Sequence, residues 1–284
     1  MKRLWRPALA CVLALLALGL WADIRWGVFS PPRCRLPVLI YHHFVEEDGD
    51  VDTGTVVSAR RLREQLAALR DAGYTAVSLA QVLDFVDQGT PLPEKSVLIT
   101  IDDGYTSNLD IAAPILEELG MRATVFVIGI NEGEDCYVHT GQPFALPRFS
   151  YGEAVPWVER GVLDLQCHTF DLHRLPPDGE REGVLPLSGE GDYDQVLLED
   201  LAQFRQRREG RVSTPLVALA YPFGYWCAQA DQILAQEGIR LTFTTREHRN
   251  TLYAGHPETL RLLGRYNVTQ AVSGPALVAR LNRP

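Results

Sequence analysis

The sequence predicts an α/β fold, a distorted (β/α) barrel of seven or eight mostly parallel strands. From about residue 36 onward, apolar strand patterns alternate with amphipathic helix patterns along the chain. Most of the strand patterns are near-continuous apolar runs, as expected for strands buried on both faces. With 284 residues, 46% of them hydrophobic and 22% charged, the chain can bury a large core. These observations favour a barrel of parallel strands over an open sheet.

The strands are predicted from short apolar runs that end at turn residues or at polar side chains. The run "SVLITI" is the clearest, because it is apolar almost throughout and stops at two aspartates. The predicted strands are 36–44, 74–80, 96–101, 122–129, 161–168, 215–224, 240–246 and 260–268.

The helices are predicted from apolar residues at helical spacing, several of them followed by a glycine that ends the helix. The predicted helices are 58–73, 80–89, 109–120, 192–210, 227–238 and a last one near the C-terminus. Two long loops separate these elements, at 131–153 and from Pro176 to Gly191.

Residues 1–35 are predicted to be an export segment and linker, and residues 36–284 to be the catalytic domain. Lys2, Arg3 and Arg6 precede an apolar run at 8–22, a pattern typical of export signals. The run lacks a good small-residue cleavage site, which favours an uncleaved anchor, but it is short for a spanning helix, which favours a cleaved signal peptide. Both interpretations stay open. A buried core helix is the alternative. On either export interpretation the domain lies outside the cytoplasm, secreted or held at the membrane by the N-terminal segment.

The net charge limits the possible partners, and the cysteine spacing limits the possible disulfides. A net charge of -9 argues against a nucleic-acid partner and suits a neutral or cationic one. The five cysteines show no CxxC spacing, so they define no framework, although one disulfide is possible outside the cytoplasm. Cys167 directly precedes His168, so on a strand it should point to the opposite face. Nothing in the sequence indicates an oligomeric state.

The stretch "QCHTFDLHRL" contains two histidines, His168 and His173, whose spacing does not fit a helix. Five helical residues turn the chain by roughly 500°, which leaves the two side chains about 140° apart. If the rings converge, His168 ends a strand and the loop after it returns His173 to the same place. The alternative is a pair of ordinary loop histidines.

Two aspartates follow another strand, in "ITIDDGYTSN". Asp102 and Asp103 come directly after the apolar run, and Gly104 allows a sharp turn. This pattern is also ordinary turn and helix-cap chemistry. However, both motifs lie at carboxyl ends of predicted strands, where a parallel barrel places its site. One carboxylate and two imidazoles suit a divalent metal such as zinc, and leave the second carboxylate free to act as a base.

Two further strand ends contribute candidates. "ALAYPFGYW" can form a rigid turn that aims a backbone N–H into the site, or it can simply end a strand. In "YHHF", alternation sends only one of His42 and His43 toward the barrel mouth, and we expect it to be His42. His139 and His248 lie in loop-like surroundings and are expected to be solvated.

Taken together and in order, these motifs resemble the polysaccharide deacetylases of the NodB-homology type, carbohydrate esterase family 4. The resemblance runs from about Leu36 to Val268. "TIDDGY" is similar to the family's TFDDG motif, and "YPFG" to its RxPYG motif. "HTFDLH" is similar to its H-[ST]-x-x-H motif, in the one-residue-longer form of the poly-N-acetylglucosamine deacetylases.

The resemblance implies metal-assisted hydrolysis of N-acetyl groups on an extracytoplasmic glycan polymer. It implies metal ligation, most simply of zinc, by Asp103, His168 and His173, with Asp102 as catalytic base. The backbone N–H of Phe223 would bind the oxyanion. The implied substrate-binding residues are Tyr105, Tyr221, Pro222 and Gly224.

Three departures from the family pattern affect this interpretation. Ala220 stands where the family often has an arginine that orients the base, and Phe223 replaces the family's tyrosine. The late Leu-x-x-x-His segment, whose histidine is the general acid, is not apparent in "ETLRLLGRYNV", and His256 is out of register. His42 is therefore the candidate acid. These departures keep two rivals open: a catalytically impaired glycan-binding or scaffold protein, and a metal hydrolase that acts on another amide or ester.

Overall fold

The computed structural model describes residues 11–18, 31–49, 54–175, 182–188 and 191–283. The helices are α1 (residues 11–18), α2 (Ala59–Asp71), α3 (Leu79–Gln88), α4 (Ala113–Glu118), α5 (Tyr151–Glu159), α6 (Tyr193–Arg208), α7 (Ala228–Gln236) and α8 (Gly274–Leu281). The strands are β1 (Arg33–Arg35), β2 (Val38–Tyr41), β3 (His43–Val45), β4 (Val56–Ser58), β5 (Thr75–Ala76), β6 (Ser96–Asp103), β7 (Ala123–Val127), β8 (Leu163–Cys167), β9 (Ala218–Ala220), β10 (Leu241–Phe243), β11 (Thr251–Tyr253) and β12 (Tyr266–Asn267).

One parallel sheet forms the centre of the fold. Its strand order is β10-β9-β8-β7-β6-β2-β12, with β5 paired to β6, which makes eight strands. Every pairing within it is parallel. The predicted barrel-type fold of seven or eight parallel strands is therefore confirmed.

The segment before β12 connects the two edges of this sheet. Leu263 forms a parallel bridge to Phe243 of β10, with backbone bonds to Thr242 and Thr244. Three residues later the same segment enters β12, which pairs with β2. The sheet consequently curls round on itself, and residues 263–267 lie close to the carboxyl ends of the central strands.

Alternate residues of each strand face two different sides. Leu98 of β6, Phe126 of β7 and Phe243 of β10 pack together inside the curled sheet. Ile99, Ile101 and Val125 point outward, against α2, α4, α5 and α8. This alternation makes the central strands apolar on both faces, as their sequences indicate.

The structure adds the short strands β1, β4 and β11 to the sequence-based elements, divides the predicted strand 36–44 into β2 and β3, and changes several other elements. Helix α5 lies partly in the predicted loop 131–153 and was not predicted, because Gly152 and Pro156 conceal its apolar pattern. The predicted strands 74–80 and 260–268 shorten to two-residue strands, β5 and β12. The predicted helix 109–120 divides into a π-helical turn, Asn108–Ala112, and α4.

Only part of the predicted export segment falls within the described residues, where 11–18 are helical and exposed. Among the described residues, no helix is long and apolar enough to cross a membrane. All five cysteines are described, and none is paired with another. Cys167 is buried in the cluster beneath α6 and α7, on the side of β8 expected from alternation.

Candidate metal and catalytic site

Asp102 and Asp103 both face one site at the end of β6. Asp102 continues the inward row of the strand, so strict alternation would send Asp103 to the helix side. Asp103 instead has φ 77°, in the left-handed region, and Gly104 follows at φ 73°. The turned backbone brings Asp103 Oδ1 to 3.5 Å from His168 Nε2, while Asp102 Oδ2 lies 3.8 Å from the same nitrogen. The two neighbouring carboxylates can therefore act at one place.

His168, just beyond β8, presents a defined nitrogen to this site. Its Nδ1 lies 2.8 Å from the carbonyl oxygen of Ala220, which can only accept. Nδ1 therefore carries a proton, and Nε2 is the nitrogen on the side of the aspartates. Metal-binding histidines have this same arrangement, with the second nitrogen bonded to a carbonyl or carboxylate.

His173, five positions after His168, returns to the same site. Its Nε2 lies 3.5 Å from Asp103 Oδ1, and its ring centroid is 4.8 Å from that of His168. Burial lowers the pKa of His173 to about 4, although the charge of Asp103 opposes this shift. The imidazole is therefore neutral at physiological pH and has a free lone pair.

The donor set fits a divalent transition metal. One ligand atom from each of Asp103, His168 and His173 lies within 4.8 Å of the other two. Burial alone would raise the pKa of Asp103, but the neighbouring His173 and His42 hold it below its usual value. Two imidazoles and one carboxylate are a common donor set for zinc in enzymes that leave a coordination position open.

Asp102 is held by a buried arginine, Arg265. Nη1 and Nη2 of Arg265 donate to Oδ1 and Oδ2 of Asp102 at 2.7 and 2.8 Å. Arg265 is 0% exposed, and Asp102 is 1% exposed. Burial would raise the pKa of Asp102, but the Arg265 charge keeps it below its usual value. Asp102 is thus an ionised, oriented carboxylate, as a general base must be.

His42 lies near the two aspartates, whereas His43 contacts Ser107 and Tyr105. The His42 imidazole is close enough to lower the pKa of both Asp102 and Asp103. Its Nδ1 is buried without a hydrogen-bond partner among the described residues. His43 Nδ1 lies 2.9 Å from Ser107 Oγ, and its ring packs on Tyr105. The structure therefore brings His42 to the site, while its role as acid stays a prediction.

The "YPFG" turn places the left-handed backbone of Phe223 and its aromatic ring beside His173. Phe223 has φ 58°, and its ring centroid lies 4.4 Å from that of His173. Gly224 has φ 77° and a close approach to Thr245 that leaves no room for a Cβ. Pro222 is buried. The side chain of Tyr221 points into the core, where its hydroxyl donates to Asp231, so it does not fit the predicted substrate contact.

Tyr105 lies at the rim of the site under an arginine. The guanidinium carbon of Arg148 lies 3.9 Å above the Tyr105 ring centroid. Arg148 Nη1 donates to the backbone oxygen of Asp103 at 2.7 Å, which supports the left-handed turn there. Burial, together with the negative charge of Asp103, raises the pKa of the Tyr105 hydroxyl. Tyr105 therefore stays protonated and can donate a hydrogen bond at the rim.

The other histidines lie outside this cluster. His256 is bonded to Glu258 in the turn after β11. His139 is half-exposed, but it is bonded to Asp171 and Arg174 instead of being only solvated. Neither joins the three-ligand group.

Left-handed backbone is concentrated at this site. Four non-glycine residues among those described have positive φ, and three of them belong to this site: Asp103 is a predicted ligand, Thr169 follows His168, and Phe223 packs on His173. Such conformations cost roughly 1–3 kcal/mol each and persist where the surrounding structure enforces them. Their position is typical of a functional site.

Comparison with known proteins supports this interpretation. The family model described as polysaccharide deacetylase matches residues 89–242, more than half of the chain. The chain belongs to the polysaccharide deacetylase family.

Relatives named for the poly-N-acetylglucosamine reaction resemble this chain. The poly-β-1,6-N-acetyl-D-glucosamine N-deacetylase of Escherichia coli is 32% identical over 176 residues, which are 60% of this chain and 26% of the relative. The protein of that name from Staphylococcus epidermidis is 25% identical over 207 residues, 73% of this chain and 67% of the relative. The chain thus spans about a quarter of the length of the Escherichia coli relative.

Solved structures show the same fold. IcaB from Ammonifex degensii superposes with a TM-score of 0.72 at 27% identity, covering 88% of this chain and 97% of that one. A de-N-acetylase from Aggregatibacter actinomycetemcomitans gives a TM-score of 0.74 at 19% identity, and the match covers 87% of this chain and 100% of that one.

The structure resolves one apparent departure from the family pattern. Ala220 indeed stands before "YPFG", but Asp102, the predicted base, is bonded by another arginine, Arg265, in the segment "LRLLGRYNV". Sequence reasoning missed Arg265, although an arginine inside an apolar run is a signal for a buried charge partner. It also missed Arg148, whose loop position gives no such signal.

Proposed function

We propose that the protein is a metal-dependent hydrolase that removes N-acetyl groups from N-acetylglucosamine units of an extracytoplasmic polysaccharide. The observation that carries this proposal is the convergence of Asp103, His168 and His173 beside an Asp102 oriented by Arg265. The names of the relatives support a poly-β-1,6-linked substrate. The proposed metal is zinc, because of the donor set.

Each residue has a defined task in amide hydrolysis. A divalent ion of this kind supplies Lewis-acid activation of water and of a carbonyl group. Asp102 accepts the proton of the attacking water, with its two oxygens oriented by Arg265. The Phe223 N–H donates to the developing oxyanion, where one such bond is worth roughly 10²–10³-fold in rate. The Phe223 ring packs on His173 and restricts water around it.

The leaving amine requires a proton as the C–N bond breaks. We propose His42 as its source, because His42 lies near the two aspartates and its Nδ1 has no partner among the described residues. Tyr105, at the rim, is the proposed contact for a sugar hydroxyl or for the acetamido group.

The decisive test is acetate release from a β-1,6-linked N-acetylglucosamine oligomer by the purified protein with one equivalent of zinc. A β-1,4-linked oligomer tests the linkage, and Asp102→Asn is the control that keeps the three ligands. We expect release with the wild type, and a rate at least 100-fold lower with the control, from the usual worth of a positioned base. If the wild type released acetate no faster than Asp102→Asn, the result would favour a catalytically impaired glycan-binding or scaffold protein.

Location outside the cytoplasm is a separate proposal, supported by the cationic start and apolar run at the N-terminus. A C-terminal fusion to a phosphatase that folds only outside the cytoplasm should be active. If a reporter that folds only in the cytoplasm were active when fused at the same C-terminal position, the proposed location would be contradicted.

A further inference from the structure

The loop between the two histidine ligands is held by a carboxylate from a distant helix. Oδ2 of Asp200, on α6, accepts the Phe170 N–H at 2.8 Å, and Oδ1 accepts the Asp171 N–H at 2.7 Å. One carboxylate thus binds two successive amides of the five-residue step from His168 to His173.

The opposite side of the same loop is bound by the segment after β7. The N–H groups of Gly129 and Ile130 donate to the carbonyl oxygens of Thr169 and Phe170 at 3.0 and 2.9 Å. A Cβ on Gly129 would lie 2.8 Å from side-chain atoms of Phe170, so this approach requires glycine. The loop backbone is therefore bound on two sides.

The loop also contains a conformation that needs support. Thr169 has φ 67°, and β-branched residues rarely adopt positive φ. This turn sets the direction of the chain between the ligands. Bonds to the next two residues keep the turn in place.

Asp200 is unfavourable for the fold apart from these bonds. It is 5% exposed and lies among the apolar residues Leu197, Leu201 and Phe204 of its own helix. It forms no ion pair among the described residues, and burial raises its pKa to about 6. A buried carboxylate without a cation is costly, and an apolar residue would suit this helix face better. Its two amide bonds are the only hydrogen bonds that it forms among the described residues, and the nearby charge of Arg174 offsets the cost of burial only in part.

We infer that Asp200 is a positioning residue that fixes the loop so that the Nε2 atoms of His168 and His173 converge on Asp103. This inference rests on the proposed metal-dependent function. It explains how a step one residue longer than the usual family motif still presents two ligands to one ion. Asp200 acts through the backbone and does not touch the reacting atoms.

The test compares Asp200→Asn with Asp164→Asn. Asparagine keeps the shape of aspartate but offers one acceptor oxygen, so one of the two amides loses its bond. Asp164 is the matched control: it is partly buried, burial also raises its pKa, and it bonds Thr214 and Gln166 at the opposite end of β8. Both variants lose a carboxylate whose pKa is raised by burial, and only one of them touches the loop.

Zinc affinity is measured by competition with a chromophoric chelator, together with the Tm of each metal-free protein. We expect Asp200→Asn to bind zinc 10–100-fold more weakly, the usual cost of losing a group that orients a ligand, and Asp164→Asn to bind like the wild type. Equal zinc affinity in Asp200→Asn and the wild type would overturn the inference. Equal weakening in both variants would also overturn it, because it would show a general loss of stability.

A second measurement needs no variant. In metal-free wild-type protein, the amides of Phe170 and Asp171 should already be protected from hydrogen exchange. Protection that arises only after zinc addition would show that the metal orders the loop, and would overturn the role of Asp200. Because this readout does not require zinc binding, it separates failure of the inference from failure of the proposed metal function.

Discussion

Replacing Arg265 with methionine should destabilise the protein strongly, because the change leaves Asp102 buried and unpaired. Arg265 makes two bonds to Asp102, one to Thr100 Oγ1 at 3.2 Å and one to the Thr244 carbonyl at 2.9 Å. Methionine has a similar volume, so lost packing contributes little. Breaking a buried ion pair by removing one partner costs about 3–5 kcal/mol.

The cost should fall when both charges are removed together. We expect Arg265→Met to lose about 3–5 kcal/mol in the free energy of unfolding, and the Arg265→Met/Asp102→Asn double variant to lose less than the sum of the two single losses. Urea unfolding of the four metal-free proteins measures the coupling directly. The matched control is Arg240→Met, since Arg240 pairs with Asp87 at the surface and should contribute no more than about 1 kcal/mol. A loss below about 1 kcal/mol for Arg265→Met, or strictly additive losses, would refute the argument that this pair holds the base.

Four further outcomes are expected from the same site. Metal analysis should show loss of the ion from Asp103→Asn and from His173→Ala; near-stoichiometric metal in both would rule out this ligand set. Asp102→Asn should keep its metal while kcat falls by about 10²–10⁴-fold, and retention of half the wild-type rate would show that Asp102 is not the base. If His42 protonates the amine, kcat/KM of the wild type should fall at alkaline pH. In His42→Ala this alkaline decrease should be absent while the metal content is unchanged. An unaltered alkaline decrease in the variant would leave His42 as a substrate contact at most. Burial raises the pKa of Asp200 in the folded protein to about 6, so its contribution to stability is present below about pH 4 and is lost as the pH rises to 6. Over that range the free energy of unfolding of the metal-free wild type should fall by about 3 kcal/mol relative to that of Asp200→Asn. A difference between the two proteins that does not change with pH would contradict the raised pKa.

The sequence was sufficient to predict the barrel, because its central strands are buried on both faces. Strands such as "SVLITI" lie between the inner cluster and the helices, so nearly every residue is apolar. Helix α5 was harder to predict. Its capping box, Ser150 with Glu153, is a recognisable start signal, but Gly152 and Pro156 interrupt the pattern after it.

For the site, the sequence predicted the strand-end residues and missed their supports. Asp102, Asp103 and His168 stand at the ends of strands whose carboxyl ends must share one edge of a parallel sheet. Arg265 reaches this edge from the segment just before β12, and Asp200 from α6, so their positions depend on how the sheet closes and how α6 packs. The family resemblance also assigned Tyr221 to the substrate because it shares its motif with Phe223, but its side chain turns into the core toward Asp231.

The most direct test of the central claim is a zinc titration of the metal-stripped protein while acetate release from a β-1,6-linked N-acetylglucosamine oligomer is followed. If Asp103, His168 and His173 hold one catalytic ion, activity should be absent in chelator, rise with added zinc and reach its plateau at one equivalent per chain. Undiminished acetate release from the stripped protein in chelator would contradict the claim.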